Sequence, residues 1–191
     1  MKKRYFISLL YLLFISMIFS ARAQQGSLLF DGVDDKVVVP ANAAFNSSSS
    51  ITCEAWINAT QWKAQIYQGT IVGKDGSNTS GYALRCGGNG KLSFVVGGPG
   101  GWTEATCGSI MQANVWTHVA GVFDNGAIKI YINGNLVGTN TGTSITASTV
   151  NLLIGESPGF AGRVFKGYLD EVRIWNVARS QAEIAANMIV D

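Results

Sequence analysis

The chain has 191 residues, with 14 Lys+Arg against 12 Asp+Glu, one His, three Cys and 23 Gly, for a formal net charge of +2. The basic excess sits at the start: without residues 1–23, which hold Lys2, Lys3, Arg4 and Arg22, the net charge is −2. No Lys/Arg cluster remains beyond that point, which excludes the electrostatic footprint of a nucleic-acid or anionic-membrane binder.

Residues 2–4 form a basic segment, residues 6–19 an apolar run, and "SARAQ" an A-x-A pattern at Ala21 and Ala23. This order predicts a secretory signal peptide over 1–23, cleaved after Ala23. The apolar run is shorter than the roughly 20 residues of a membrane span, and the residue directly after the cleavage point is Gln24, not a Cys that could take a lipid anchor. Residues 24–191 are then one exported domain, long enough to bury a proper core.

Short β-rich segments follow: "LLF" (28–30), "KVVVP" (36–40), "ITCEAWI" (51–57), "GTIVGK" (69–74), "YALRC" (82–86) and "KLSFVV" (91–96). The series continues with "WTEATC" (102–107), "WTHVAGVF" (116–123), "AIKIYI" (127–132), "NLVGT" (135–139), "VNLLIG" (150–155) and "GYLDEVRIW" (167–175). Separators such as "GGNG", "GGPGG" and "DNG" are the chemistry of tight reversals. In "YINGNLV", Asn133-Gly134 tolerates positive φ at both central positions, which predicts a type I′ hairpin. Only "SQAEIAANM" reads as helix, with Ser180 and Glu183 as the two halves of a capping box. A dozen strands and one terminal helix predict an all-β, two-sheet antiparallel sandwich of jelly-roll type.

In the strand at 168–176, counting back by two from Ile174 and Val172 places Asp170 on their apolar face. A buried carboxylate needs a partner, so the identity of that partner becomes a functional question.

Three cysteines in an exported chain allow one bridge. Cys53 lies in the apolar row Ile51, Cys53, Ala55, Ile57, which leaves Cys86 with Cys107. A plain meander would separate that pair by two strand spacings of about 4.8 Å, beyond disulfide reach. The glycine turns beside both could instead bend them together, and a disulfide is the expectation.

"SLLFDGVDDKVVVP", "ITCEAWI", "VWTHVAGVFDNGAIKIYINGNLVGT", "LLIGE" and "FKGYLDEVRIWNVARSQAEI" occur in the order of laminin G-like jelly-roll domains. Over residues 27–186 the chain resembles this group of the concanavalin A-like lectin/glucanase superfamily. The resemblance implies two curved antiparallel sheets, a binding role outside the cell and a structural calcium. Its residues here would be Asp170 in the last strand with Asp31, Gly32 and Asp34 near the first, and Asp35 beside them. Pairing of Asp170 with Arg163, Lys166 or Arg173, or acceptance of backbone N–H bonds, is the alternative.

Catalysis is not expected. The superfamily's glucanases carry E-x-D-x-x-E on one strand, and this chain has no such motif. Glu54, Glu104, Glu156 and Glu183 stand apart in sequence, and Glu171 adjoins Asp170 on the opposite strand face. His118 reads as a mid-strand structural residue. Trp56, Trp116 and Trp175 fall in strand patterns and read as packing. Trp62 and Trp102 sit beside loops, with Tyr67 near the first and Asn78 in the polar loop "GKDGSNTSGY", and these four are the candidate ligand contacts. The expected function is a secreted, non-catalytic recognition module for carbohydrate. The alternatives are a protein-binding adhesion module and a divergent glycosidase, and domains like this one usually belong to larger multidomain proteins.

Overall fold

A computed structural model describes residues 26–76, 79–108, 111–142 and 144–188; the expected signal peptide and Asn78 lie outside the described residues. All twelve expected strands form. They are β1 (Leu28–Asp31), β2 (Val37–Val39), β3 (Ser50–Ala59), β4 (Gly69–Gly73), β5 (Tyr82–Gly87) and β6 (Lys91–Gly98). The rest are β7 (Gly101–Thr106), β8 (Thr117–Asp124), β9 (Ala127–Ile132), β10 (Asn135–Thr141), β11 (Leu152–Ile154) and β12 (Lys166–Trp175). One sheet runs β1-β12-β3-β8-β9-β10 and the other β2-β11-β4-β5-β6-β7, and every pairing between these strands is antiparallel. The helix α1 (Gln181–Asn187) starts at Ser180, whose capping box with Glu183 is complete. A one-turn 3-10 helix at Ala43–Phe45 is an addition that the sequence pattern did not signal.

Alternation decides which side of each strand enters the core. Ile51, Cys53, Ala55 and Ile57 of β3 are all at most 1% exposed and face Leu84, Leu92 and Phe94 of the second sheet within one cluster. Each such Ile contributes on the order of 1.5–3 kcal/mol by leaving water. Gly121 on β8 sets how closely the sheets approach, since a Cβ there would lie 2.3 Å from the Phe94 ring. At the β9–β10 turn, Asn133 (φ 47) and Gly134 (φ 74) both adopt positive φ, as a type I′ hairpin requires.

The last strand departs from simple alternation. Asp170 pairs with Trp56 but Arg173 pairs with Glu54, so β12 carries one extra residue and a β-bulge, with Glu171 at φ 50. Counting by two across the bulge therefore fails. Leu169 and Ile174 face the core, while Asp170 shares the outer face with Trp56 and Arg173. Its carboxylate is half-buried and accepts the N–H of Glu171 (2.8 Å), so its partner is the bulge itself.

Candidate functional site

On the outer face of the second sheet the strand register brings distant residues together. Thr70 is opposite Arg85, Arg85 opposite Ser93, and Val95 opposite Glu104. Leu84, Phe94 and Ala105 point into the core, so Arg85, Ser93 and Glu104 point outward. Arg85 Nη2 donates to Glu104 Oε2 (2.6 Å) and to Ser93 Oγ (3.3 Å), and Ser93 Oγ donates to the same carboxylate oxygen (2.7 Å). Arg85 and Ser93 are 5% and 0% exposed despite facing outward, and the connection from β11 to β12 crosses this face, with Phe160 against the Trp102 ring. That connection is tied down by bridges from Val164 to both Thr70 and Glu156, and Lys36 pairs with Glu156 at 2.6 Å.

The connection carries Phe160 and Arg163, which complete a ladder of stacked groups. Arg163 Cζ lies 4.7 Å from the Tyr67 ring centre and 3.8 Å from that of Phe160. Phe160 meets Trp102 edge-on at 6.0 Å, and Arg85 Cζ sits 5.5 Å from the Trp102 ring. Tyr67, Arg163, Phe160, Trp102 and Arg85 thus form one continuous row of aromatic faces and guanidinium planes. Contacts of this kind are worth roughly 0.5–1.5 kcal/mol each and fix ring orientation.

Beneath the ladder lies Asp75, 0% exposed, with Ser157 Oγ donating to its Oδ2 at 2.6 Å. Burial pushes its carboxyl above the ordinary range, opposed by the Ser157 hydrogen bond. Its neighbour Lys74 donates instead to the Val150 carbonyl (2.7 Å). Among the described residues, Asp75 Oδ1, Thr70 Oγ1, Arg85 Nε and Trp102 Nε1 are all buried without a hydrogen-bond partner. An orphaned buried polar atom costs about 1–3 kcal/mol, and a water or a ligand group from outside the chain would satisfy these four.

The candidate residues fare differently. Tyr67 and Trp102 are brought together by Arg163 and Phe160. Trp62 is half-buried and packs on the core, so it is separated from the ladder in role. Sequence reasoning missed Arg85, Glu104, Asp75, Phe160 and Arg163. The "LRC" arginine inside an apolar strand was the one available signal, since a charge at a buried strand position demands a partner.

Asp31, Asp34 and Asp35 gather with potential ligand oxygens within 4.8 Å of one another, all exposed. Much of that cluster is an internally bonded turn. Asp31 Oδ1 accepts from Val33 N (2.7 Å), and Asp35 Oδ2 accepts from Asp31 N (2.8 Å). The Val33 N–H, as the leading cause, holds the Asp31 carboxyl below its usual range. The Gly32 carbonyl is already taken by Lys63 Nζ (2.8 Å). Asp31 pairs with Lys166, four positions from Asp170, so about 13 Å of strand separates the two carboxylates. Three carboxylates fit a hard cation, but Gly32 and Asp170 do not join them.

Cys86 and Cys107 are not bridged. Cys86 pairs with Leu92, and Cys107 N donates to the Leu92 carbonyl (3.1 Å), so β6 runs between them as a plain meander requires. The disulfide expectation is therefore corrected: two strand spacings exceed its reach.

Glu54 and His118 meet on the outer face of the first sheet, beneath the C-terminal segment. Glu54 is 0% exposed, accepts from Trp175 Nε1 (2.9 Å) and has Arg173 Nη1 at 3.9 Å. Burial raises its carboxyl, with Trp175 and Arg173 opposing. His118 Nε2 approaches Glu54 Oε2 at 3.8 Å, but burial and then Arg173 lower its pKa to about 4, so the imidazole is neutral and no ion pair forms. Trp56 packs edge-on against it at 5.6 Å and ties down the C-terminus through Met188 O. This cluster anchors the C-terminal segment.

Two six-stranded antiparallel sheets define a jelly-roll sandwich of the concanavalin A-like kind. The chain belongs to the concanavalin A-like lectin/glucanases superfamily, whose laminin G-type family profile matches residues 31–185. A 79-residue stretch is 30% identical to mouse pappalysin-1 (Mus musculus), covering 38% of this chain and 5% of that protein. Domain 4 of AbnA, an extracellular arabinanase of Geobacillus stearothermophilus solved with arabinotriose, shares the fold. Its TM-score is 0.68 at 24% identity, over 87% of this chain and 78% of that one. The CBM40 of a Ruminococcus gnavus sialidase, bound to α2,3 sialyllactose, also shares it: TM-score 0.61, 15% identity, 85% of this chain and 99% of that one. No helix among the described residues is long and apolar enough to cross a membrane.

Proposed function

We propose that the protein is an exported, non-catalytic module that binds carbohydrate on the outer face of its second sheet. The observation that carries this reading is the ladder Tyr67–Arg163–Phe160–Trp102 above four unpartnered polar atoms. Aromatic faces stack on the C–H faces of sugars, and the polar atoms bond hydroxyls. Neighbours that share the fold were solved with arabinotriose and with sialyllactose, which supports the ligand class. Glu54 and Glu104 lie on outer faces of different sheets, so they do not flank a common bond as a glycosidase pair would. The test is a glycan array with the wild type and the Trp102→Ala and Phe160→Ala variants. Retention by the wild type and loss in both folded variants is expected; equal retention by all three would refute the site.

Calcium is part of the same proposal, as a structural ion on Asp31, Asp34 and Asp35 with water completing its shell. An exposed set of three carboxylates belongs with weak extracellular sites, with Kd of about 10⁻⁴–10⁻³ M.

One observation favours a protein partner instead. Leu29 (60% exposed) pairs with Tyr168, which contacts Trp116 at 6.3 Å, and exposed Val115 adjoins Trp116. This apolar edge of the first sheet is the surface that an adhesion partner would use, and Leu29→Asp would abolish such binding without touching glycan retention.

A further inference from the structure

Resting on the carbohydrate reading, we infer that the site takes the free end of a sugar chain, with a terminal diol held among Thr70, Asp75, Arg85 and the Trp102 indole beneath Phe160. The four residues that carry these atoms are neighbours. Thr70 is in register with Arg85, and Arg85 Cζ is 5.5 Å from the Trp102 ring. A Cβ added to Gly73 would meet Asp75 Oδ1 at 2.6 Å and both Thr70 Cγ2 and Pro158 Cδ at 3.3 Å, so Thr70, Asp75 and Pro158 surround one point. Any side chain at position 73 would clash with the Asp75 carboxylate there.

The chemistry of these atoms selects the ligand. Arg85 Nε and Trp102 Nε1 only donate, Asp75 Oδ1 accepts, and Thr70 Oγ1 does either. Two adjacent hydroxyls present the same mixture, because each both donates and accepts. A phosphate or carboxylate offers acceptors alone and would face Asp75. The Arg85 charge is already matched by Glu104, which removes the demand for an anion.

The cover selects the end of the chain. All four atoms are buried, and residues 157–163 pack on this face, anchored by Ser157 to Asp75 and by Arg163 to the Tyr67 ring. Gly159 and Gly162 flank Phe160, are exposed, and Gly162 has φ +81, so the tip can pivot at two glycines. A terminal residue needs only Phe160 to lift and then close over it, so the same ring stacks on the bound sugar and its removal still abolishes binding. A chain running through the site would have to displace the anchored segment on both sides.

The experiment is isothermal titration of the protein with linear oligosaccharides of two to six residues, drawn from the best hit of a glycan array. End recognition predicts a Kd per molecule that changes by no more than about twofold across the series, against about tenfold or more for side-on binding. Thr70→Val removes a hydroxyl without a partner in the free protein, so its melting temperature holds or rises while affinity falls by about fivefold or more. Asp75→Asn should cost about tenfold. Affinity that grows with length, or a Thr70→Val variant that binds like wild type, overturns end recognition. If Trp102→Ala still abolishes binding in that case, the carbohydrate reading survives it. An array with no hit overturns both.

Discussion

Replacing His118 with Phe should change how stability depends on pH, and the sign follows from the burial of that histidine. In the folded protein its pKa is lowered from 6.5 to about 4, with burial the leading cause and Arg173 the second. A proton that the unfolded chain accepts near pH 6.5 is refused by the native state until about pH 4. Stability from this group is therefore full above pH 6.5 and is lost as pH falls through that window. At about 1.36 kcal/mol per unit, two and a half units amount to about 3.4 kcal/mol. Glu54 works in the opposite direction: its folded pKa lies above 4.5, so the native state takes that proton first and gains stability as pH falls through the folded value. The wild-type profile is the difference of the two. Urea unfolding from pH 4 to 8 measures it. Subtracting the His118→Phe curve from the wild-type curve should leave a loss of about 3 kcal/mol between pH 6.5 and 4. Parallel curves would mean that His118 takes up its proton in the native state as readily as in the unfolded chain, and the burial argument would be wrong.

Other consequences are simpler to state. In 10 mM calcium, a site with Kd near 10⁻³ M stabilises by about 1.4 kcal/mol, a rise in Tm of about 3–5 °C relative to EDTA. Asp34→Asn should remove that rise while sparing the turn, because the hydrogen bonds of the turn are accepted by Asp31 and Asp35. No calcium shift in the wild type would end the metal proposal. Gly121→Ala forces a methyl against the Phe94 ring and should destabilise by about 1–3 kcal/mol, seen as a lower urea midpoint at unchanged m. Dithiothreitol should leave the melting temperature unchanged, since β6 separates Cys86 from Cys107; a drop of several degrees would mean that the two strands flanking it are linked after all.

What was legible in the sequence was local. The apolar row of β3, the Asn133-Gly134 turn and the Ser180/Glu183 capping box each depend on residues a few positions apart, and each formed as expected. Asp170 was misplaced because a bulge adds one residue between pairs, and strand alternation alone does not announce an insertion. The site was half legible for a related reason. Tyr67 and Trp102 stood out as aromatics beside loops. Arg85 meets Glu104 only through the register of three strands, and Phe160 and Arg163 reach Trp102 and Tyr67 only because a connection folds back over a sheet face. Such contacts join residues nineteen to nearly a hundred positions apart, a distance over which periodicity carries no information.

The most direct test of the binding site is glycan retention by the wild type beside Trp102→Ala and Phe160→Ala proteins that melt cooperatively. The account predicts retention by the wild type and its loss in both variants, because each variant breaks the ladder above the buried polar atoms. Retention unchanged in both would place recognition elsewhere on the sandwich and contradict the account.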